Sequence, residues 1–150
     1  MTSRIALLDV NVLVALFDPD HVHHEIAHDW FAAHRERGWA TCPATENGFL
    51  RVLSHPAYGN PVVRPVELVD RLRRFCASGH HHFWGDSLSL RDETVFDAAF
   101  AVGPRQLAGI YLLGLAAKMG GQLATFDRRI PHRAIVGGTA DVLLVIGAEA

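Results

Sequence analysis

A chain of 150 residues, 49% hydrophobic and 20% charged with a net charge of −2, is long enough for one compact domain with a real core and too short for two ordinary ones. The slight negative charge argues against broad electrostatic capture of nucleic acid while leaving room for a local basic rim, and the longest apolar runs fall far short of the ~20 residues a membrane span needs. Cys42 and Cys76 form no CxxC pair and no charged-then-apolar leader opens the chain, which points to a reducing cytoplasm.

The run Ile5 to Leu8 has the continuous apolar character of a strand buried on both faces of a parallel sheet. Asp9 follows it and precedes a helix over Asn11 to Leu16. An acid there faces the crevice at the carboxyl end of the strand, and it also suits a helix N-cap; the segment alone supports both roles equally. Phe17 to Asp20 is turn material, and the apolar spacing of Val22, Ile26, Trp30, Phe31 and Ala33 predicts a helix from about His21 to Arg37. This helix carries His24-Glu25-Ile26-Ala27-His28, an H-E-x-x-H match that would place two imidazoles and a general base as in zinc hydrolases. No third ligand follows at a recognisable place, so a polar surface face rich in His is the favoured reading.

A second strand is expected at Trp39 to Cys42, stopped by Pro43, then a helix capped by Thr45 with Glu46 in its first turn. Glu46 there would interact well with the helix dipole whatever else it does. His55 to Pro65 reads as a loop and Val66 to Ala77 as a helix with Arg71, Arg73 and Arg74 mostly outward. The run His80-His81-His82 leads into a short strand at Phe83-Trp84. Because consecutive strand residues face opposite ways, the run is expected to be polar surface rather than a chelating unit. Asp92 would cap a helix over Glu93 to Val102; Pro104 would open a mostly buried one to Lys118, ended by Gly120-Gly121. Gln122 to Phe126 is a fourth strand with Asp127 just beyond it, and Val142 to Ile146 a last one.

Strands alternating with helices throughout predict an α/β fold, a three-layer α/β/α sandwich around a central, mainly parallel sheet filling residues 1–150 as one domain. Asp9, Glu46 and Asp127 would then gather at one sheet edge. Three such carboxylates repel unless a hard divalent ion neutralises them, which makes Mg²⁺ or Mn²⁺ and phosphate chemistry the natural expectation.

Four motifs in this order, Leu-Leu-Asp9-Val-Asn11, Glu46-Asn47-Gly-Phe-Leu, Arg105-Gln-Leu-Ala-Gly-Ile-Tyr-Leu-Leu-Gly-Leu-Ala and Ala-Thr125-Phe-Asp127-Arg, resemble the PIN domain of VapC-type toxin ribonucleases over nearly the whole chain. The resemblance implies Mg²⁺- or Mn²⁺-dependent cleavage of RNA by a metal-activated water, homodimerisation, and inhibition by a cognate VapB-like antitoxin. It implies Asp9, Glu46 and Asp127 as catalytic metal ligands, with support from Asn11 or Thr125. Arg105 and Arg128 stand as candidate phosphate contacts. One position departs from the pattern: the family segment usually reads Leu-Thr-Asp-Ala where this chain has Leu107-Ala108-Gly109-Ile110, so the third acid is Gly109. That departure makes a catalytically impaired, partner-binding module the alternative to an active nuclease.

Overall fold

Five short segments form the strands β1 (Ala6–Leu8), β2 (Trp39–Thr41), β3 (His81–Phe83), β4 (Gln122–Thr125) and β5 (Leu143–Val145). All pair in parallel, in the order β3-β2-β1-β4-β5. The computed structural model describes residues 4–59 and 62–147. Its helices are α1 (Val10–Phe17), α2 (His24–His34), α3 (Pro43–Ser54), α4 (Pro65–Cys76) and α5 (Leu107–Lys118).

Strand side chains alternate between two apolar cores, one on each face of the sheet. Ala6, Leu8, Trp39 and Ala124 pack with α1 to α4, where Leu13, Phe31, Phe49 and Leu68 fill the layer. Leu7, Ala40 and Leu123 pack with α5 and the short turns around 134 and 142. This is the predicted α/β/α sandwich. Full burial of both faces explains why β1 is apolar at every position.

With β1 at the centre, the chain fills one side of the sheet through β2 and β3, then crosses to the other side for β4 and β5. The gap between the carboxyl ends of β1 and β4 is therefore the topological switch point, the place where open α/β sheets form their functional crevice.

Several boundaries differ from expectation for identifiable reasons. The second helix begins at His24 rather than near His21, because residues before it are held in turns by Asp18 and His21. Helix α3 starts at Pro43, with Cys42 as N-cap, not Thr45. Thr45 is instead fully buried, accepting a hydrogen bond from the Cys42 amide at 3.0 Å and donating to the Cys42 carbonyl at 3.1 Å. Thr45→Ala removes both bonds, and a stability loss of about 1 kcal/mol in urea melts is expected.

The helix expected over Glu93 to Val102 does not form. Asp92 accepts from the amide and hydroxyl of Thr94, closing a turn in place of a helix cap. The chain then bridges Phe96 to Ile135, and only Ala98–Phe100 makes a single 3₁₀ turn. Phe96 becomes a core residue whose ring lies against Gly114 of α5. The helix expected from Pro104 is a 3₁₀ turn to Gln106 followed by α5 proper, buried from Ile110 to Ala116 apart from half-buried Tyr111. It ends as expected: Gly120 takes φ 71°, and the Gly121 amide donates to Ala116 at 2.8 Å.

Candidate active-site cleft

Among the described residues, three polar side chains are fully buried: Thr41, Thr45 and Thr125. Thr41 and Thr125 end their strands, and each presents its hydroxyl to a carboxylate. Buried hydroxyls need partners, so these strand ends fix the position of the acids beside them.

Thr125 donates to Asp9 Oδ2 at 2.7 Å and accepts from the Asp127 amide at 3.1 Å. One hydroxyl thus ties together the acid after β1 and the backbone of the acid after β4. Asp9 Oδ1 accepts from the Val10 amide at 2.7 Å, so Asp9 is a helix cap and a cleft residue at once. Burial pushes the Asp9 carboxyl above the ordinary carboxylate range; the Thr125 and Val10 hydrogen bonds partly offset this, and the charge of Asp127 adds to it. Asp127 is itself held by the Arg129 amide at 2.8 Å and an exposed Arg129 guanidinium at 3.4 Å.

Both acids line a cleft of about 670 Å³ at the switch point. Its walls come from α1 through Asn11, from α3 through Ala44, Asn47, Gly48 and Arg51, and from the 3₁₀ turn and first residues of α5 through Arg105 to Gly109. Gly48 admits Val10 so closely that a Cβ there would stand 2.7 Å from Val10 Cγ2, which brings α3 against the mouth of α1.

Glu46 is not brought to this cleft. The α3 residues that line it recur at intervals of three and four, and Glu46 falls between them on a different face. Its carboxylate accepts from Thr41 at 2.6 Å instead, and Thr41 also lies 2.8 Å from His81 Nε2. Starting α3 two residues earlier than Thr45 does not alter this spacing; it is the helical phase of residues 44, 47, 48 and 51 that decides it. Asn47, next in sequence, takes the cleft-facing place. Of the candidate phosphate contacts, Arg105 lines the cleft and Arg128 does not; Arg51, which no motif singles out, also lines it.

Asp86 was also unforeseen. It accepts from the Ala44 amide at 3.1 Å and from the Tyr111 hydroxyl at 2.8 Å, joining the first turn of α3 to α5 across the cleft wall. Gly109 lines the cleft where an acid was expected, and a Cβ there would stand 2.9 Å from Ile130 Cδ1.

The H-E-x-x-H segment has a structural assignment. His24 Nδ1 donates to the Ala15 carbonyl at 2.7 Å and His28 Nε2 to that of Leu16 at 3.2 Å, so both imidazoles satisfy free carbonyls at the end of α1. Glu25 is exposed. The His run is likewise not uniform polar surface: His81 is half-buried against the Trp39 ring, 4.7 Å between centroids.

No protein-family model matches the sequence. The chain is nonetheless similar to several curated proteins. Ribonuclease VapC44 of Mycobacterium tuberculosis is 43% identical over 141 residues, covering 94% of this chain and 99% of that one. Ribonuclease VapC39 of the same organism is 37% identical over 132 residues, 88% of this chain and 95% of its own length. Ribonuclease VapC38 is 42% identical over 123 residues, 82% and 85% of the two chains.

Proposed function

We propose, since the chain belongs to the VapC family of ribonucleases, that it is a metal-dependent endoribonuclease, the toxin of a toxin–antitoxin pair, whose cleft at the β1/β4 switch point cleaves RNA phosphodiester bonds. The observation that carries this reading is the pairing of Asp9 and Asp127 in one cleft through Thr125.

The donor set fits a hard divalent ion. Asp9 and Asp127 offer carboxylate oxygens, Asn11 an amide oxygen, and a cation between them would relieve both the burial and the mutual repulsion that disfavour the Asp9 charge. Mg²⁺ or Mn²⁺, when bound, supplies the Lewis acidity that activates water and stabilises charge on phosphoryl oxygens. Thr125 holds Asp9 in one rotamer with its charge hydrogen-bonded. Arg51 and Arg105 supply guanidinium groups to a phosphate, and the close approach of Gly48 to Val10 keeps the wall rigid. With Gly109 at the third acidic position and Glu46 held by Thr41, two carboxylates face the cleft, so the ion relies on water and RNA phosphate for the rest of its shell and activity is reduced. A VapB-like antitoxin as partner and a homodimer as the working assembly belong to the same reading. No helix among the described residues is long and apolar enough to cross a membrane.

The test is Mn²⁺-dependent cleavage of RNA by purified protein freed of antitoxin, with chelator and Asp127→Asn as controls. Cleavage lost in both controls supports the nuclease. A folded protein that binds antitoxin yet cuts no RNA in Mn²⁺ would instead make the chain a partner-binding module, the reading that Gly109 favours.

Thr125→Val tests the positioning role. Removing the hydroxyl takes away the hydrogen bond that opposes the rise in Asp9 pKa, so the protonated form persists to higher pH. Mn²⁺ affinity measured by calorimetry at neutral pH is expected to fall about tenfold, the equivalent of one charged hydrogen bond.

A further inference from the structure

Glu46, Cys76 and His81 arrive from three elements: the first turn of α3, the last residue of α4 and the first residue of β3. One donor atom from each lies within 4.8 Å of the other two, and all three residues are half-buried. Among the described residues this is the trio of His, Cys, Asp or Glu side chains close enough to share an ion. None of the three lines the Asp9–Asp127 cleft.

We propose that this trio is a second metal site, separate from the catalytic cleft, which takes a borderline-soft divalent ion such as Zn²⁺ and clips α4 and β3 to the start of α3. The donor set decides the class of ion. A thiolate, an imidazole and a carboxylate match the ligands of Zn²⁺, whereas Mg²⁺ takes oxygen. Three protein ligands leave one tetrahedral position for water.

Two of the donors are already ordered. Thr41 donates to Glu46 at 2.6 Å and stands 2.8 Å from His81 Nε2. The Trp39 ring covers His81 from the core side. A fully buried hydroxyl that orients ligating side chains is the usual second layer of a protein metal site. Between Cys76 and His81 only residues 77–80 intervene, closed by a turn in which Gly79 and His80 have φ of 113° and 65°. Ligands at the two ends of so short a turn leave little chain to order when the ion binds. Binding releases the Cys76 thiol proton to solvent and forms the metal–sulfur bond in its place.

The full-length protein, stripped with chelator and kept reduced, is titrated with Co²⁺ and then Zn²⁺. One Co²⁺ per chain is expected to give thiolate-to-cobalt charge-transfer absorption, which Zn²⁺ abolishes by displacement. Zn²⁺ is expected to raise the melting temperature of the native protein. Cys76→Ser should lose the absorption and the thermal shift; Asp127→Asn should keep both, since its carboxylate serves the other site. Thr41→Val should weaken Zn²⁺ binding about 10- to 100-fold. His81→Gln, losing the thermal shift while folded, covers the case in which Cys76→Ser does not fold. Absence of the charge-transfer band from the native protein, or its persistence in Cys76→Ser through Cys42, would overturn the proposal. RNA cleavage plays no part in either readout, so the two sites stand or fall separately.

Discussion

Asp9→Asn is expected to fold, to lose RNA cleavage by about a hundredfold or more, equivalent to roughly 2.7 kcal/mol of transition-state stabilisation, and to be more stable than the native chain in metal-free buffer at neutral pH. The fold survives because Asn caps helices as well as Asp and retains an oxygen for the Val10 amide. Activity falls because one of two cleft carboxylates, the one held by Thr125 and the Val10 amide, loses its charge. The stability gain has a definite pH signature. Burial first, and the charge of Asp127 in smaller measure, raise the Asp9 pKa in the folded state, against the hydrogen bonds from Thr125 and Val10. A carboxyl group with a raised folded pKa binds its proton more tightly folded than unfolded, so stability is lost as pH rises. That loss begins near the ordinary Asp value of 3.8 and is complete above the raised one. The asparagine has no such transition, so the gap between the two proteins should open across that window and persist to neutral pH. Chemical melts across the acid range in chelator measure it. Adding Mn²⁺ should reverse the order, because only the native site is stabilised by the ion. Undiminished cleavage by the folded variant, or a variant less stable in chelator at neutral pH, would remove Asp9 from the site.

Much of this arrangement is legible in the sequence because parallel sheets expose their carboxyl ends along one edge. Asp9 and Asp127 each follow a short apolar run, and strand order alone then brings them together. Asp9 also reads as a helix cap at a strand end, and it caps α1 while lining the cleft. What the sequence concealed depends on angles and distant contacts. Glu46 also comes after a strand, but it sits one strand further out, on a helix whose phase turns Ala44, Asn47, Gly48 and Arg51 to the cleft. Strand-end position places a residue along the edge, and helical phase decides where it looks. His24 and His28 match a zinc motif at the proper spacing, but the nearby end of α1 takes their hydrogen-bonding groups. Asp92 offers the same local signal for a helix cap as for a turn; pairing of Phe96 with Ile135 and burial of the Phe96 ring settle it as a turn. The histidine and Asp92 cases turn on contacts distant in sequence, which periodicity does not report.

Gly109→Asp is expected to raise Mn²⁺ affinity and RNA cleavage together while lowering stability, and Ile130→Val is expected to repair the stability loss. The first expectation follows from the cleft. Gly109 lines it beside Asp9 and Asp127, where Glu46 contributes no charge, so an added carboxylate supplies a ligand or water-orienting acceptor to an ion otherwise held by two. The second follows from what fills the space of the missing side chain. A Cβ at 109 would stand 2.9 Å from Ile130 Cδ1 and 3.0 Å from Cγ1, and Ile130 is buried. Overpacking of this kind costs about 1–3 kcal/mol, partly offset because Asp is a better helix former than Gly and an acid suits the first turn of α5. Ile130→Val deletes the nearest atom. In the native background it should cost about 0.5–1.5 kcal/mol as an ordinary cavity, but beside Gly109→Asp it should be neutral or stabilising. A coupling of roughly 0.5–3 kcal/mol between the two substitutions is the expected size for residues in direct contact. Thermal melts of the four proteins in the cycle give the coupling, and calorimetric Mn²⁺ titration gives the affinity. If the double variant is as stable as the native chain yet binds Mn²⁺ no more tightly, position 109 does not face the ion and the cleft geometry around Asp9 and Asp127 is wrong. If the coupling is absent, Ile130 is not what makes glycine necessary at this point of α5.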